Sequence, residues 1–292
     1  MTQRTAAEEL AMAPIRSLAL PLACALVLAG QVADAQSFPF TAHATWYEGI
    51  DGGNCSFGAI DTVGVPFGLI AAVGTPLYAD SAVCGRFIEI DAGDATCPGP
   101  PCGFTGNRVV VMISDQLFST QPDLDLSEAA FGELAAPVAG LLQNVHWRFV
   151  PGTHPGNIQF VATPGMNPWF LHFVLHDHNL GIAQVEVRDA GGPIWLAATR
   201  DSANQWAVAS TGNAFVAPLS VRVTDVEGGV LTAIDAVGSL ASNATHDLGV
   251  QMATPALVPA GSLVAPLAAA LLAAAGSVVL WKRTGRPANL RQ

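Results

Sequence analysis

Two carboxylates stand ten positions apart in VVVMISDQLFSTQPDLDLSEAAF, the stretch from Val109 to Phe131. Asp115 ends a run of β-branched and other apolar residues, and Asp125 lies inside LDLS. Acids at strand ends suit glycoside hydrolysis, in which an inverting enzyme holds an acid and a base about 6.5–9.5 Å apart with water between them. The plainer alternative is that both are turn or capping residues, because Asp serves readily in turns and at helix starts. Ser127 follows closely and is placed to cap a short helix over EAAFGELA.

The elements that would position these residues are mostly strands. A first apolar-patterned region closes with HWRFVP near Val150, and the Pro/Gly-rich PGTHPG (Pro151 to Gly156) then punctuates the chain. After it come short alternating segments, among them IQFVA, WFLHFVLH, AQVEVRD, QWAVAS and LSVRVTD, separated by turns such as DAGG and VEGG. Strands at that spacing predict an all-β sandwich.

Between Gln36 and Ala260 the chain carries six arginines, no lysine and twenty Asp or Glu, a formal charge of −14. Such a segment repels nucleic acid and anionic lipid, so a neutral or weakly charged partner is expected. At the start, Arg16 precedes the apolar run SLALPLACALVLAG, and the small-residue ADA ends at Ala35. Residues 1–35 therefore read as a secretory signal peptide, removed with Cys24 inside it. At the other end, Leu263 to Trp281 is uncharged and would span about 28 Å as a helix. With the basic tail 282–292 behind it, this segment is expected to anchor the chain in a membrane or to act as a sorting signal, with the globular part outside the cell.

Export favours disulfides among Cys55, Cys84, Cys97 and Cys102. Four cysteines allow three pairings; a local bridge between Cys97 and Cys102 across PGPP is natural and leaves Cys55 with Cys84. There is no CxxC pair to suggest zinc. His172 and His176 share a strand face, but lie about 13 Å apart along an extended strand, too far to chelate one ion. No metal site and no cofactor is expected. Asn54-Cys55-Ser56 and Asn243-Ala244-Thr245 are N-glycosylation sequons in a eukaryotic host.

Several motifs in order resemble expansins. ATWYEGIDGGNCSFG (Ala44 to Gly58) resembles the opening strand and Gly-Gly-x-Cys loop of that family, and VVVMISD the strand ending in its Thr-Asp, with Ser114 in place of Thr. LDLSEAAFGELA and VHWRFVP resemble later motifs of the first domain; NPWFLHFVLHDH, AQVEV and LSVRVTDVEGG resemble the carbohydrate-binding domain. The resemblance covers Thr41 to Ala236. It implies a mainly β fold: a six-stranded double-psi barrel over 41–150 and an immunoglobulin-like β-sandwich over 153–236, followed by a linker over 237–262.

The resemblance further implies a wall-loosening groove formed by Asp125, Asp115 and Thr45. In related endoglucanases the catalytic base follows the first strand, a position that falls on Gly49; Glu48 beside it points away by strand alternation. Bond hydrolysis is therefore not expected. Leu117 stands where microbial members have a Tyr, with Phe118 next. In the second domain Trp169 and Phe170 match the paired aromatics that stack on glucan. The third family aromatic falls near Ala203 or Asn204, neither of them aromatic, which leaves Trp206 and Trp195 as nearby substitutes or as core residues. The expected function is that of a secreted or surface-anchored monomer that binds β-glucan or cellulose and loosens polysaccharide contacts. A single-Asp lytic enzyme and an inactive adhesion module are the alternatives.

Overall fold

The computed structural model describes residues 37–49, 53–60, 68–99 and 101–253. The signal peptide expected at 1–35, the helix at 263–281 and the tail at 282–292 lie outside them. Among the described residues no helix is long and apolar enough to cross a membrane.

Six strands close into a barrel in the order β1-β5-β2-β4-β3-β6. They are β1 (Phe40–Tyr47), β2 (Ile70–Gly74), β3 (Phe87–Asp91), β4 (Arg108–Leu117), β5 (Leu124–Ser127) and β6 (Leu142–Val150). The pairs β1–β5 and β2–β4 are parallel and the others antiparallel. Inward positions are apolar and close-packed: Ala42, Ala44, Ile88, Ile90, Val111, Ile113, Leu124, Leu126, Val145 and Trp147 fill the interior. Two short helices attach to it, α1 (Thr75–Tyr78) and α2 (Glu128–Leu134). As expected, Ser127 caps α2, its hydroxyl accepting from the Ala130 N–H; Phe131 and Leu134 bury the helix on the barrel.

The second half contains two sheets over a shared core. One has the order β10-β9-β13-β14 and the other β11-β12-β8-β7-β15. The strands are β7 (Gln159–Ala162), β8 (Phe170–His176), β9 (Ile182–Arg188), β10 (Leu196–Ala197), β11 (Thr199–Arg200), β12 (Trp206–Ala209), β13 (Leu219–Asp225), β14 (Val230–Val237) and β15 (Thr245–Asp247). Leu171, Phe173 and Leu175 of β8 meet Val185 and Val187 of β9 and Val221 and Val223 of β13, the alternation that the sequence pattern predicts.

The sandwich runs further than the sequence suggests. In the segment expected as linker from residue 237, β15 pairs with β7 along Thr245 to Asp247, and Leu248 and Met252 are buried in the core. Three polar residues give no period-two signal, so this edge strand is invisible to hydrophobic patterning. Both disulfides form, Cys55–Cys84 and Cys97–Cys102.

Barrel and sandwich meet through the outer face of β8. Val174 is buried within the barrel's apolar cluster, and the His176 ring lies edge-on to Phe57 at 5.2 Å. His178 is buried where Gly85, at φ +72°, leaves room for it; a Cβ there would collide with the imidazole. Its Nδ1 bonds the Leu180 carbonyl at 2.7 Å. Burial holds His178 neutral and lowers its pKa to about 4, despite the Leu180 carbonyl, which works the other way.

That shift has a definite sign. A histidine whose folded pKa is depressed contributes stability that is complete above the unfolded value and is lost as pH falls towards the folded one. The wild-type melting temperature should therefore drop between about pH 6.5 and 4, His178 accounting for on the order of 3 kcal/mol. His178→Asn, which can still donate to Leu180, should show a shallower acid slope by differential scanning calorimetry; an unchanged slope refutes the assignment.

Candidate functional site

Four residues stand abreast on neighbouring strands. Thr45 on β1 pairs with Asp125 on β5, Asp125 with Ala72 on β2, and Ala72 with Asp115 on β4. Two strand spacings put the Cα atoms of the two acids about 10 Å apart, and the small Ala72 forms the floor between them. Strict alternation along β4 would send Asp115 inward with Val111 and Ile113. The register shifts there: Ala71 and Ala72 face Ile113 and Asp115, leaving Ser114 as an extra residue. Such a bulge re-aims the side chain that follows it.

The two acids are held differently. Asp125 accepts from the Thr45 hydroxyl at 2.6 Å. Half-burial raises its pKa above the ordinary range; the Thr45 hydrogen bond opposes this and the Asp115 charge adds to it. Asp115 instead receives two backbone N–H groups on one oxygen, from Asn54 at 2.5 Å and Gln116 at 2.7 Å. Tyr47 shares the face of Thr45. Burial, offset by a hydrogen bond with Ser114 and helped by both carboxylates, pushes its phenol up to about 12. This face thus holds a carboxyl whose pKa is raised, a second acid gripped by two backbone N–H groups, and a phenol whose pKa is raised as well, a set of hydrogen-bonding groups side by side.

The loop carrying Asn54 lies directly on β4. Gly53 has φ +66°, and a Cβ on it would come within 2.5 Å of the Ser114 carbonyl oxygen and 2.8 Å of the Asp115 Cβ; only glycine fits that contact. Glu48 and Gly49 are exposed at the end of β1, and Asp51 lies outside the described residues. Phe118, just past Leu117 at the end of β4, is 84% exposed.

On the sandwich, Trp169 and Phe170 are 59% and 41% exposed. Phe170 begins β8 on the same outer face as His172, their rings 5.6 Å apart and nearly parallel. That face continues through Val174 and His176 to the barrel.

Comparison with known proteins fits this architecture. No family model matches the chain. Expansin-B11 of Oryza sativa subsp. japonica is 31% identical over 216 residues, which are 66% of this chain and 70% of that protein. The chain belongs to the expansin family. Expansin-like protein 5 of Dictyostelium discoideum is 27% identical over 219 residues, 73% of this chain and 85% of that protein. Among solved structures, a Clavibacter michiganensis expansin mutant in complex with cellohexaose aligns with TM-score 0.59 and 24% identity, covering 72% of this chain and 96% of that one.

Not every aromatic singled out from the sequence is available to a ligand of this expansin. Trp206 is 3% exposed and belongs to the sandwich core, with Arg200 over its ring at 5.0 Å; it sits at an inward position of β12 and cannot offer a face to a glycan. Trp195 is half-buried and packs on the guanidinium groups of Arg222 and Arg188, 4.5 and 4.7 Å from its ring centre. Ala203 and Asn204 are occupied in contacts to the barrel. Gln116 and the link from Asn54, read in the sequence only as a sequon, to Asp115 escaped sequence reasoning, since such contacts between distant residues carry no distinguishing pattern.

The raised pKa of Asp125 also has a stability consequence. A carboxyl whose folded pKa lies above its unfolded one contributes stability that is present at low pH and lost as pH rises through the folded value. Asp125→Asn should thus melt slightly higher than wild type at pH 7, by no more than about 2–4 °C once solvent screening is allowed for. The gap should close below the ordinary Asp range. A lower melting temperature at pH 7 overturns this account of Asp125.

Proposed function

We propose that this chain is an exported protein that binds a β-glucan such as cellulose across the outer face of β8 and loosens polysaccharide contacts through the groove, without hydrolysis. The reading assigns a double-psi barrel over 41–150 and an immunoglobulin-like binding module beginning at 153 and reaching past 236. It also takes 1–35 as the signal peptide and 263–281 as an anchor or sorting segment, with the globular part acting as a monomer outside the cell.

The observation that carries this is the exposed pair Trp169–Phe170 at the head of a strand that also docks the barrel. Aromatic faces pack on the C–H faces of sugars, and leaving two such rings in water has no folding benefit. An uncharged ligand also suits an acidic surface. Asp125 and Thr45 would engage the chain's hydroxyls, with Asp115 as their orienting neighbour. Family membership and the cellohexaose bound by the Clavibacter protein support the ligand class. The non-hydrolytic reading rests on Gly49, where related endoglucanases carry their base.

Two measurements test it. Trp169→Ala should weaken adsorption to cellulose about tenfold, equivalent to ~1.4 kcal/mol, with little salt dependence, because the contact is apolar. An unchanged isotherm, or one that collapses in modest salt, removes this surface. In a wall-extension assay, Asp125→Asn should lose most of the creep that wild type produces, and neither protein should release reducing sugar. Stoichiometric sugar release by wild type, abolished in Asp125→Asn, would establish hydrolysis instead; equal creep from both would leave only an adhesion module.

A further inference from the structure

Residues 54–56 touch the groove on one side and the sandwich on the other. Towards the groove, the Asn54 N–H donates to Asp115, the Asn54 carboxamide donates to Gln116 Oε1 at 2.9 Å, and the Cys55 N–H donates to the Ser114 carbonyl at 3.3 Å. Towards the sandwich, the same carboxamide donates to the Ser202 carbonyl at 3.3 Å, and the Ser56 hydroxyl donates to the Ala203 carbonyl at 2.6 Å. In return the Asn204 carboxamide donates to the Cys55 carbonyl at 3.1 Å. The Tyr78 hydroxyl lies 2.9 Å from the Asn54 carbonyl and 2.8 Å from that of Ser202, with one proton to share between them. The Cys55–Cys84 disulfide ties the loop to the turn ahead of Gly85.

We propose that Asn54 is a positioning residue through which the β11–β12 loop of the sandwich, residues 201–205, sets the orientation of Asp115 in the groove. Docking of the sandwich and the state of the acidic row are thereby coupled. The inference rests on the reading of the groove as the working site, but the link itself is a matter of bonds. Four consecutive sandwich residues, Ser202 to Gln205, reach the loop through backbone or side-chain atoms. The loop in turn supplies one of the two N–H groups on the Asp115 oxygen. The ionisable groups around the link are Asp115, Asp125, Tyr47 and Tyr78 from the barrel and Asp201 and Arg200 from the sandwich.

A substitution on the sandwich side separates coupling from local damage. Asn204→Ala removes the grip on Cys55 without entering the groove, whereas Asn54→Ala removes the links to Gln116 and Ser202 together. The carboxyl titration of Asp125, which feels the charge of Asp115, followed by carbon NMR in the full chain, should move in both variants. Wall extension should fall several-fold in both while cellulose adsorption stays within about twofold, less than the loss a stacked ring causes. Titrations identical to wild type in both variants overturn the proposal. A shift in Asn54→Ala alone also overturns it, because the loop would then act without the sandwich. If Asn54→Ala fails to fold, Asn204→Ala decides alone. If wild type extends no wall, the functional reading fails, while the titrations still decide the coupling.

Discussion

Closing a sheet into a barrel leaves no strand free to slide, and the groove depends on that constraint. Each strand has two partners, so the register across β1, β5, β2 and β4 is fixed from both sides. A one-residue slip of β5 would turn Asp125 inward and bring Leu124 or Leu126 to the surface, a conflict with burial that the apolar interior does not tolerate. Core packing of Leu124 and Leu126 thus holds Asp125 beside Thr45, and the bulge at Ser114 brings Asp115 onto the same face. The acids need no direct bond to act on one another. Proximity across a half-buried surface is enough for the charge of Asp115 to favour a protonated Asp125.

The sandwich complements this through economy of surface. β8 has one face in its own core and the other divided along its length. Near the barrel, Val174 is buried and His176 half-buried; farther out, Phe170 and the neighbouring Trp169 are exposed. The exposed aromatics, Phe170 at the start of β8 and Trp169 just before it, therefore sit at the head of the same strand that fixes the sandwich to the barrel. A ligand lying along that face is aimed at the barrel by the strand itself and not by a flexible linker. The short connection after β6 reinforces this: the Gly152 N–H donates to the Asn179 carbonyl at 2.7 Å and the His154 N–H to the Asn179 side chain at 2.6 Å.

The features legible in the sequence were those written in local pattern. Ser127 before EAAF marks a helix start, alternation marks β8 and β13, and a pair of cysteines bracketing PGPP marks a local bridge. Asp115 and Asp125 could be singled out because each ends or interrupts an apolar run. The features hidden from it depend on partners distant in the chain. The bulge at Ser114 exists only relative to β2, and β15 is a strand only because β7 offers an open edge. Trp206 shows the limit most plainly. An aromatic near a missing aromatic suggests replacement, but strand parity relative to the core decides its face, and here parity places it inside.

Where an expansin-like pattern would bring a third aromatic, this chain has Ala203 and Asn204, and both are used to fasten the sandwich to the barrel. A small residue and a carboxamide are well matched to such a junction. The Ala203 carbonyl lies within reach of Ser56, and Asn204, buried, satisfies the Cys55 carbonyl. A ring at Asn204 would give up the carboxamide that holds the Cys55 carbonyl, whereas the contact at Ala203 is made by the main chain. The exposed aromatics Trp169 and Phe170 lie at the outer end, while the inner end, towards the acidic row, is built of hydrogen bonds.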